Sequence, residues 1–308
     1  MERLFVKRDQ LLALLASMKR VVVAFSGGID STVVAMAAHL ALGDSALAVT
    51  ADSPSVPRAE IEEAKALAAR IGIRHRLIAT SEFANPEYIK NDGTRCYYCK
   101  DELYAQIDSL VNAIESEPEA LAKMGASFAN TSGSDDSDSH NRIVICSGAN
   151  LDDNGDYRPG LIAAAEHRVR HPLQEAGFAK ADVRALAHHW DLPTWDKPAS
   201  PCLSSRIAPG VEATPERVAR IEAAEAYLRK LGFREFRVRL HDGELARVEV
   251  PLDGLTKLAD RAVCAELVGY LKSLGFRYVT LDLEGFRSGS LNELIPLELR
   301  QHVAEVVK

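Results

Sequence analysis

Two groups of residues in this chain have the types and spacing to do chemistry. The first is Ser26-Gly27-Gly28-Ile29-Asp30-Ser31-Thr32, which follows the apolar run Val21–Phe25 and opens an apolar helical pattern, IDSTVVAMAAHLAL. A strand, a turn without bulky side chains and a helix start aim free main-chain N–H groups and a helix dipole at one point, which makes an anion site. Gly27 and Gly28 let the main chain close on a phosphate, and the hydroxyls of Ser26, Ser31 and Thr32 add donors. The plainer alternative is a structural corner with two chance glycines. The second group is the thiols. Cys96-Tyr-Tyr-Cys99-Lys100 is a CxxC that follows a polar stretch, NPEYIKNDGTR, and Cys202 stands in KPASPCLSSRIAPG. A CxxC alone fits half a zinc site, a redox dithiol, part of an iron–sulfur centre or coincidence. No second CxxC or nearby histidine pair completes a zinc set, and a thioredoxin-like motif would follow an early strand and open a helix. That leaves a distant partner, for which Cys202 is the candidate. No core periodicity claims Cys202, and Arg206 and Lys197 nearby would favour its thiolate. Cys146 and Cys264, in the apolar runs RIVICSG and DRAVCAELVGYL, read as inert core residues.

The glycine turn lacks the Gly-Lys-Ser/Thr ending of a Walker loop, whose lysine serves the β- and γ-phosphates. SGGIDS instead resembles the PP-loop of the N-type ATP pyrophosphatases. That resemblance implies a grip on pyrophosphate and cleavage of ATP between its α- and β-phosphates, leaving an AMP-activated substrate. Asp30, at the loop's end, would help hold Mg2+, an ion that prefers oxygen ligands.

These groups need a scaffold. Val21–Phe25, Ala46–Ala51, Arg74–Ala79 and Ile143–Ser147 read as short apolar strands, with helical stretches such as Arg58–Ile71 between them. Repeated β–α units predict an α/β fold: a doubly wound parallel sheet with ligand at the carboxyl ends of its strands. From Thr214, a good N-cap before Pro215, the pattern becomes helix (Glu216–Leu231), two strands (FREFRVRLH and ARVEVP), helix (Leu255–Leu274) and strand (FRYVTLDLEG). The division expected is a PP-loop domain over 1–209 and a smaller α+β domain over 210–308. Residues 115–141, rich in Ser, Asp, Gly and Asn in their second half, read as a surface insertion, either plain and disordered or a cover for the site. The N-terminus reads as an amphipathic helix, not a signal peptide, and no apolar stretch is long enough to span a membrane, so a cytoplasmic protein is expected. The net charge of −7, with basic residues scattered, argues for a small-molecule substrate over nucleic acid, whose phosphates demand a basic footprint.

A more specific likeness rests on four segments: PCLSSRI (201–207), SGANLDDNGDYRPG (147–160), FRVRLHDGELARVEV (236–250) and YVTLDLEGFRSGSLNE (278–293). Together with SGGIDS they resemble the LarE family, ATP-dependent sulfur transferases that make the nickel-pincer nucleotide cofactor of lactate racemase. The resemblance implies that ATP adenylylates a carboxylate of pyridinium-3,5-biscarboxylic acid mononucleotide, releasing pyrophosphate. Sulfur then replaces AMP to give a thiocarboxylic acid, once at each carboxylate. A carboxylate is a poor electrophile, and adenylylation turns its oxygen into a leaving group. Ser26, Gly27, Gly28, Asp30 and Ser31 would serve the phosphates. Arg237 and Arg239, at i and i+2 on one strand face, would meet an anion with their guanidinium forks, unless RVR is merely a solvated face. Glu225 and Glu249 are acidic partners for a metal or for arginine. Asn150, Asp152, Asp153 and Arg158 lie past the end of a strand, where nucleotide contacts belong, and Thr50 and Asp52 at the end of the second strand join them.

The resemblance leaves two sulfur sources open. In sacrificial members of the family the cysteine matching Cys202 gives up its own sulfur and becomes dehydroalanine. In others three cysteines hold a 4Fe-4S cluster whose fourth iron carries an extra sulfide. Cys96, Cys99 and Cys202 supply the three thiolates, and the cluster is favoured because it gives the CxxC a partner. A homo-oligomer such as a hexamer is implied too, with sulfide or a cysteine desulfurase as the sulfur supply. The rivals are a tRNA-thiolating PP-loop enzyme, an ammonia-using synthetase of the NAD synthetase type, and a nucleotide-responsive iron–sulfur carrier without catalysis.

Overall fold

The structure is a computed structural model and describes residues 2–116, 142–154, 158–198, 200–287, 291 and 294. The 115–141 insertion from 117 to 141, residues 155–157 of the 147–160 segment, and 288–290, 292 and 293 of the last segment lie outside the described residues.

Strands β1 (Val21–Ala24), β2 (Ala46–Asp52), β3 (Arg74–Ala79) and β4 (Val144–Cys146) form one parallel sheet in the order β3-β2-β1-β4. Helices α1 (Glu2–Ser17), α2 (Ile29–Leu42) and α3 (Arg58–Ile71) pack on one face. After the short α4 (Pro86–Lys90), α5 (Arg95–Ser116) and α6 (Gly160–Glu166) cover the other face. Helices α7 (Pro172–Glu175) and α8 (Lys180–His189) return to the first. Successive β1 residues therefore serve different cores: Val21 and Val23 pack with α2, Val22 with α5. Burial on both sides is why the strand reads as an unbroken apolar run. At β1 the winding reverses, with β2 on one side and β4 on the other. The loops leaving β1 and β4 thus diverge and open a crevice at the carboxyl edge.

The smaller unit consists of α9 (Pro215–Lys230), β5 (Arg237–His241), β6 (Leu245–Glu249), α10 (Leu255–Ala259), α11 (Arg261–Ser273) and β7 (Tyr278–Leu281). Strands β5 and β6 are antiparallel, β6 and β7 parallel. Thr214 caps α9 as expected, accepting from the Arg217 N–H at 3.3 Å. The single helix expected over 255–274 is two helices. Asp260 leaves the helical region and its carboxylate accepts from Ala262 and Val263 N–H (3.0 and 3.1 Å), because a short acidic side chain caps a helix better than it continues one. The core of this unit also takes Tyr88, Leu203 and Ile207. Asn91, in a left-handed conformation (φ 53°), donates its amide to the carbonyls of Ala208 and Val211, both at 2.9 Å, and so fastens the start of α5 to the segment after Cys202.

His167 clamps α6 to α5, with Nδ1 2.7 Å from Asp108 and Nε2 3.0 Å from Asp101. Burial alone would lower its pKa, but the two carboxylates outweigh it and raise the imidazole above its ordinary value. A raised folded-state pKa means that the stabilisation is complete below the unfolded value and is lost as pH climbs through the folded one. Urea midpoints should therefore show the native chain losing stability relative to a His167→Gln variant as pH rises above the ordinary imidazole value of 6.5, by less than about 1 kcal/mol because the carboxylates are partly solvated.

Candidate active site

The β1–α2 turn has the geometry of an anion cradle. Gly27 is left-handed (φ 70°), and a Cβ there would lie 3.2 Å from that of Ala64 on α3. Ser31 Oγ donates to the Gly28 carbonyl at 3.0 Å and accepts from Ser26 N–H at 3.2 Å, folding the turn over the first turn of α2. The loop after β4 presses on the same turn: a Cβ on Gly148 would sit 2.6 Å from Ser31 N, so only glycine admits that approach. Asn150 then reaches Asp30, donating from Nδ2 to Oδ1 at 3.1 Å. Asp153 accepts from the Asn150 N–H (2.9 Å) and pairs with Arg158 (2.8 Å). Ser26, Gly27, Gly28, Asp30, Ser31, Asn150, Asp153 and Arg158 are thus brought together at the switch point. Thr50 is not presented to a ligand: its hydroxyl donates to the Phe25 carbonyl (2.6 Å) and meets His75 Nε2 (2.8 Å), propping the strand end beneath the turn. Asp52 is tied to Arg58 at 2.5 Å. Lys180, unmarked in the sequence reading, pairs with Asp30 at 2.5 Å.

The three thiols also converge. Cys96 and Cys99 open α5, so the CxxC does start a helix, after an Asx turn in which Asp92 accepts from the Thr94 N–H and hydroxyl (3.1 and 2.6 Å). Cys202 begins the turn 203–206. Burial pushes the Cys99 thiol up; Lys100 opposes this, while Cys202, Glu82 and Cys96 add to it. Burial raises Cys96 as well, against Arg95 and with Cys202. Cys96 keeps exposed surface at the start of α5. Arg95, buried, would lose basicity by burial, but the charges of Cys202, Cys96, Tyr88 and Cys99 raise it, and Lys100 behaves likewise. Tyr88, whose phenol is pushed up first by burial and then by Cys202 and Cys99, shares a 2.8 Å hydrogen bond with Ser204. Arg95 and Lys100 flank the CxxC directly in the sequence (RCYYCK), a signal that could have been read.

The cations expected to serve Cys202 are committed elsewhere. Lys197 pairs with Glu63 at 2.7 Å. Arg206, 2% exposed, pairs with Glu225 at 3.1 Å and donates to the Cys202 carbonyl at 2.9 Å, so it holds the main chain and not the sulfur. Cys264, expected in the core, is exposed on α11; Cys146 is buried as expected. Arg239 is buried against Glu249, with ion-pair distances of 3.1 Å to Oε2 and 2.9 Å from Arg247 to Oε1, and donates to the Ser205 carbonyl at 3.3 Å. Glu225 and Glu249 thus serve as partners of arginine. Arg237 lies over the Phe286 ring at 5.1 Å. Burial, then the like charge of Arg206, lowers its pKa to about 10. A guanidinium disfavoured by neighbouring positive charge is one that an incoming anion would relieve.

The family model described as NAD synthase matches residues 9–88, the stretch from α1 through the PP-loop turn to α4. An uncharacterized protein of Synechocystis sp. is 42% identical over 94% of this chain and 98% of its own length. The pyridinium-3,5-bisthiocarboxylic acid mononucleotide synthase of Lactiplantibacillus plantarum is 39% identical over 96% of this chain and 97% of its own. An uncharacterized protein of Methanocaldococcus jannaschii is 26% identical over 88% and 92%. With that degree of identity to the synthase along nearly all of both chains, and an ATP pyrophosphatase turn at the matching strand end, the chain belongs to the LarE family of ATP-dependent sulfur transferases.

Proposed function

We propose that the protein turns pyridinium-3,5-biscarboxylic acid mononucleotide into its thiocarboxylic acid by adenylylation and sulfur transfer, with Cys96, Cys99 and Cys202 holding a 4Fe-4S cluster. What supports this is that thiols from two distant segments, Cys96 with Cys99 and Cys202, lie close enough to act on one another's charge and on that of Arg95 and Lys100. Among the described residues no three Cys, His, Asp or Glu side chains close tightly enough for a single metal ion. The thiols of Cys96 and Cys99 both respond to the charge of Cys202, and an all-thiolate donor set is the kind an iron–sulfur group takes. Such a group, when bound, would supply sulfide as the nucleophile and keep the three thiols deprotonated.

The chain's own residues do the rest. The turn 26–31 grips the β- and γ-phosphates while a substrate carboxylate oxygen bonds to the α-phosphorus and pyrophosphate leaves. Arg237, with Arg239 behind it, steadies an anionic group of the mononucleotide. Arg95 and Lys100 balance the negative charge of the sulfur site. The reading includes a homo-oligomer and an outside sulfur supply from sulfide or a cysteine desulfurase. Among the described residues no helix is long and apolar enough to cross a membrane.

Two measurements test it. Pyrophosphate release should rise with the pyridinium mononucleotide and not with tRNA. Anaerobically purified protein should contain iron and sulfide, with a visible chromophore lost in Cys96→Ala. An iron-free active protein in which Cys202 loses the elements of hydrogen sulfide after one turnover would replace the cluster by sacrifice.

A further inference from the structure

Glu82 is a buried carboxylate that neither the nucleotide turn nor the arginine pairs use. It opens the short turn Glu82–Ala84 that follows β3 and is 2% exposed. One of its oxygens is committed. Oε1 accepts from the Ser53 hydroxyl and, at 3.1 Å, from the Ser55 hydroxyl, and the two serines meet each other at 2.9 Å just past the end of β2. The other oxygen, Oε2, is buried and meets no hydrogen-bond donor among the described residues. A carboxylate oxygen kept from water without a donor is costly, and a fold that retains one calls for a group to take it.

The turn that carries Glu82 is fastened to both thiol segments. Its neighbour Ser81 gives its N–H and hydroxyl to Glu102 at 2.9 and 2.8 Å, less than one helical turn beyond Cys99 on α5. On the other side, Phe83 meets Tyr88 edge-on, with ring centres 4.9 Å apart, and both Phe83 and Cys99 pack against the core that holds Tyr88 and Leu203. Ser55, which grips Oε1 with its hydroxyl, accepts the Leu203 N–H on its main-chain carbonyl at 2.7 Å, next to Cys202. Glu82 therefore stands where the CxxC and the Cys202 segment come together. Burial raises the Cys99 thiol, and the Glu82 charge adds to the rise.

A lone cation does not answer the orphaned oxygen, because among the described residues no three His, Cys, Asp or Glu side chains could hold one. A mobile substrate does not reach an oxygen closed off from solvent. A group seated among the thiols and bringing inorganic ligands of its own needs only one more donor from the protein, and iron accepts carboxylate oxygen. We propose that Glu82 is the fourth protein ligand of the iron–sulfur group, its Oε2 capping the iron that the three thiols leave open until hydrosulfide takes its place. The inference rests on the reading of Cys96, Cys99 and Cys202 as the cluster ligands. In the exchange the hydrosulfide sulfur bonds to the iron while the iron–oxygen bond breaks and its electron pair returns to the carboxylate; no proton moves and no oxidation state changes. Iron of this kind favours sulfur over carboxylate, so the cap yields to hydrosulfide yet shields the iron when sulfide is scarce. Ser53 and Ser55 hold the released carboxylate at hand, ready to return once the sulfur has gone to the substrate.

Anaerobically reconstituted full-length protein tests this by iron analysis and by sulfide titration followed in visible and EPR spectra, alongside thermal midpoints. Glu82→Gln keeps an oxygen acceptor for the two serines and removes the anionic ligand. It should bind sulfide about 10-fold or more tightly, because apparent affinity scales with the fraction of iron left uncapped, and it should shed its fourth iron to ferricyanide faster by a similar factor. Glu82→Asp should fall between the two. Glu82→Leu reads the same quantities if the glutamine variant does not fold. Unchanged sulfide affinity and unchanged iron loss in either folded neutral variant overturn the proposal. So does a fall in total iron with a lowered midpoint and unaltered sulfide affinity per cluster, which would make Glu82 a strut between the segments. Should neither variant fold, the unmodified protein decides: its sulfide-binding rate should level off at high sulfide, where release of the cap limits, and a rate linear throughout means an iron already open. If the unmodified protein takes up no iron, the cluster reading itself fails and the role of Glu82 falls with it, a result visible before any variant is made.

Discussion

Replacing Cys202 with serine is expected to cut thiocarboxylate formation at least about 1,000-fold while adenylylation, read as acceptor-dependent pyrophosphate release, stays within about 3-fold of normal. The separation follows from how the residue is held. Its carbonyl, not its sulfur, anchors the turn, accepting from Ser205 N–H at 3.0 Å, the Ser205 hydroxyl at 2.6 Å and Arg206 at 2.9 Å. Serine keeps all three contacts. The nucleotide turn is built on β1, α2 and the loop after β4, none of which uses the Cys202 side chain. Product chromatography and a pyrophosphate assay on the same reactions check the prediction. The companion variants Cys96→Ser and Cys99→Ser divide the sulfur sources: three equal losses fit a shared cluster, whereas loss at Cys202 alone fits sacrifice of its sulfur. A Cys202→Ser variant with full product formation would point to a nucleophile unrelated to the thiols, such as ammonia.

The parts of this molecule legible in its sequence are those written in short-range pattern. The turn after β1 is visible because an apolar run meets two glycines and then a helical period, and α3 ends where expected because Gly72 takes a left-handed conformation (φ 83°). Pairings across the fold carry no such local mark. Lys180 belongs with Asp30 only because α8 and the β1–α2 turn meet at the same edge of the sheet. Arg206 looked like a counter-ion for Cys202 because it is close in sequence, yet a buried guanidinium requires a carboxylate, and α9 supplies Glu225. Cys264 was misplaced by about one helical step: the packed row of α11 runs through Val263, Leu267 and Leu271, and a residue one position off that row turns by about 100° toward solvent.

Arg206→Met is the substitution expected to cost most stability away from the thiols, about 3–5 kcal/mol by urea unfolding, because it strands a charge. The Arg206 and Glu225 side chains are 2% and 8% exposed and meet at 3.1 Å. Glu225 also holds the Val238 N–H at 3.2 Å and feels the charge of Arg237, but Arg206 is the guanidinium in contact with its carboxylate at 3.1 Å. Methionine fills much of the volume, so the loss reports the stranded charge more than a cavity. Changing Glu225 to leucine as well should therefore return the protein to within about 2 kcal/mol of the original. Sulfur delivery should not return with it. Arg206 also donates to the carbonyls of Pro201 and Cys202, and no apolar residue replaces those contacts, so the Cys202 segment in the double variant is folded against its core but unpinned at the residue that matters. Recovered stability with unrecovered transfer is the expected signature of an ion pair whose work is placement. A single variant within about 1 kcal/mol of the original would mean that the pair behaves as a solvated surface bridge and that something else holds the loop.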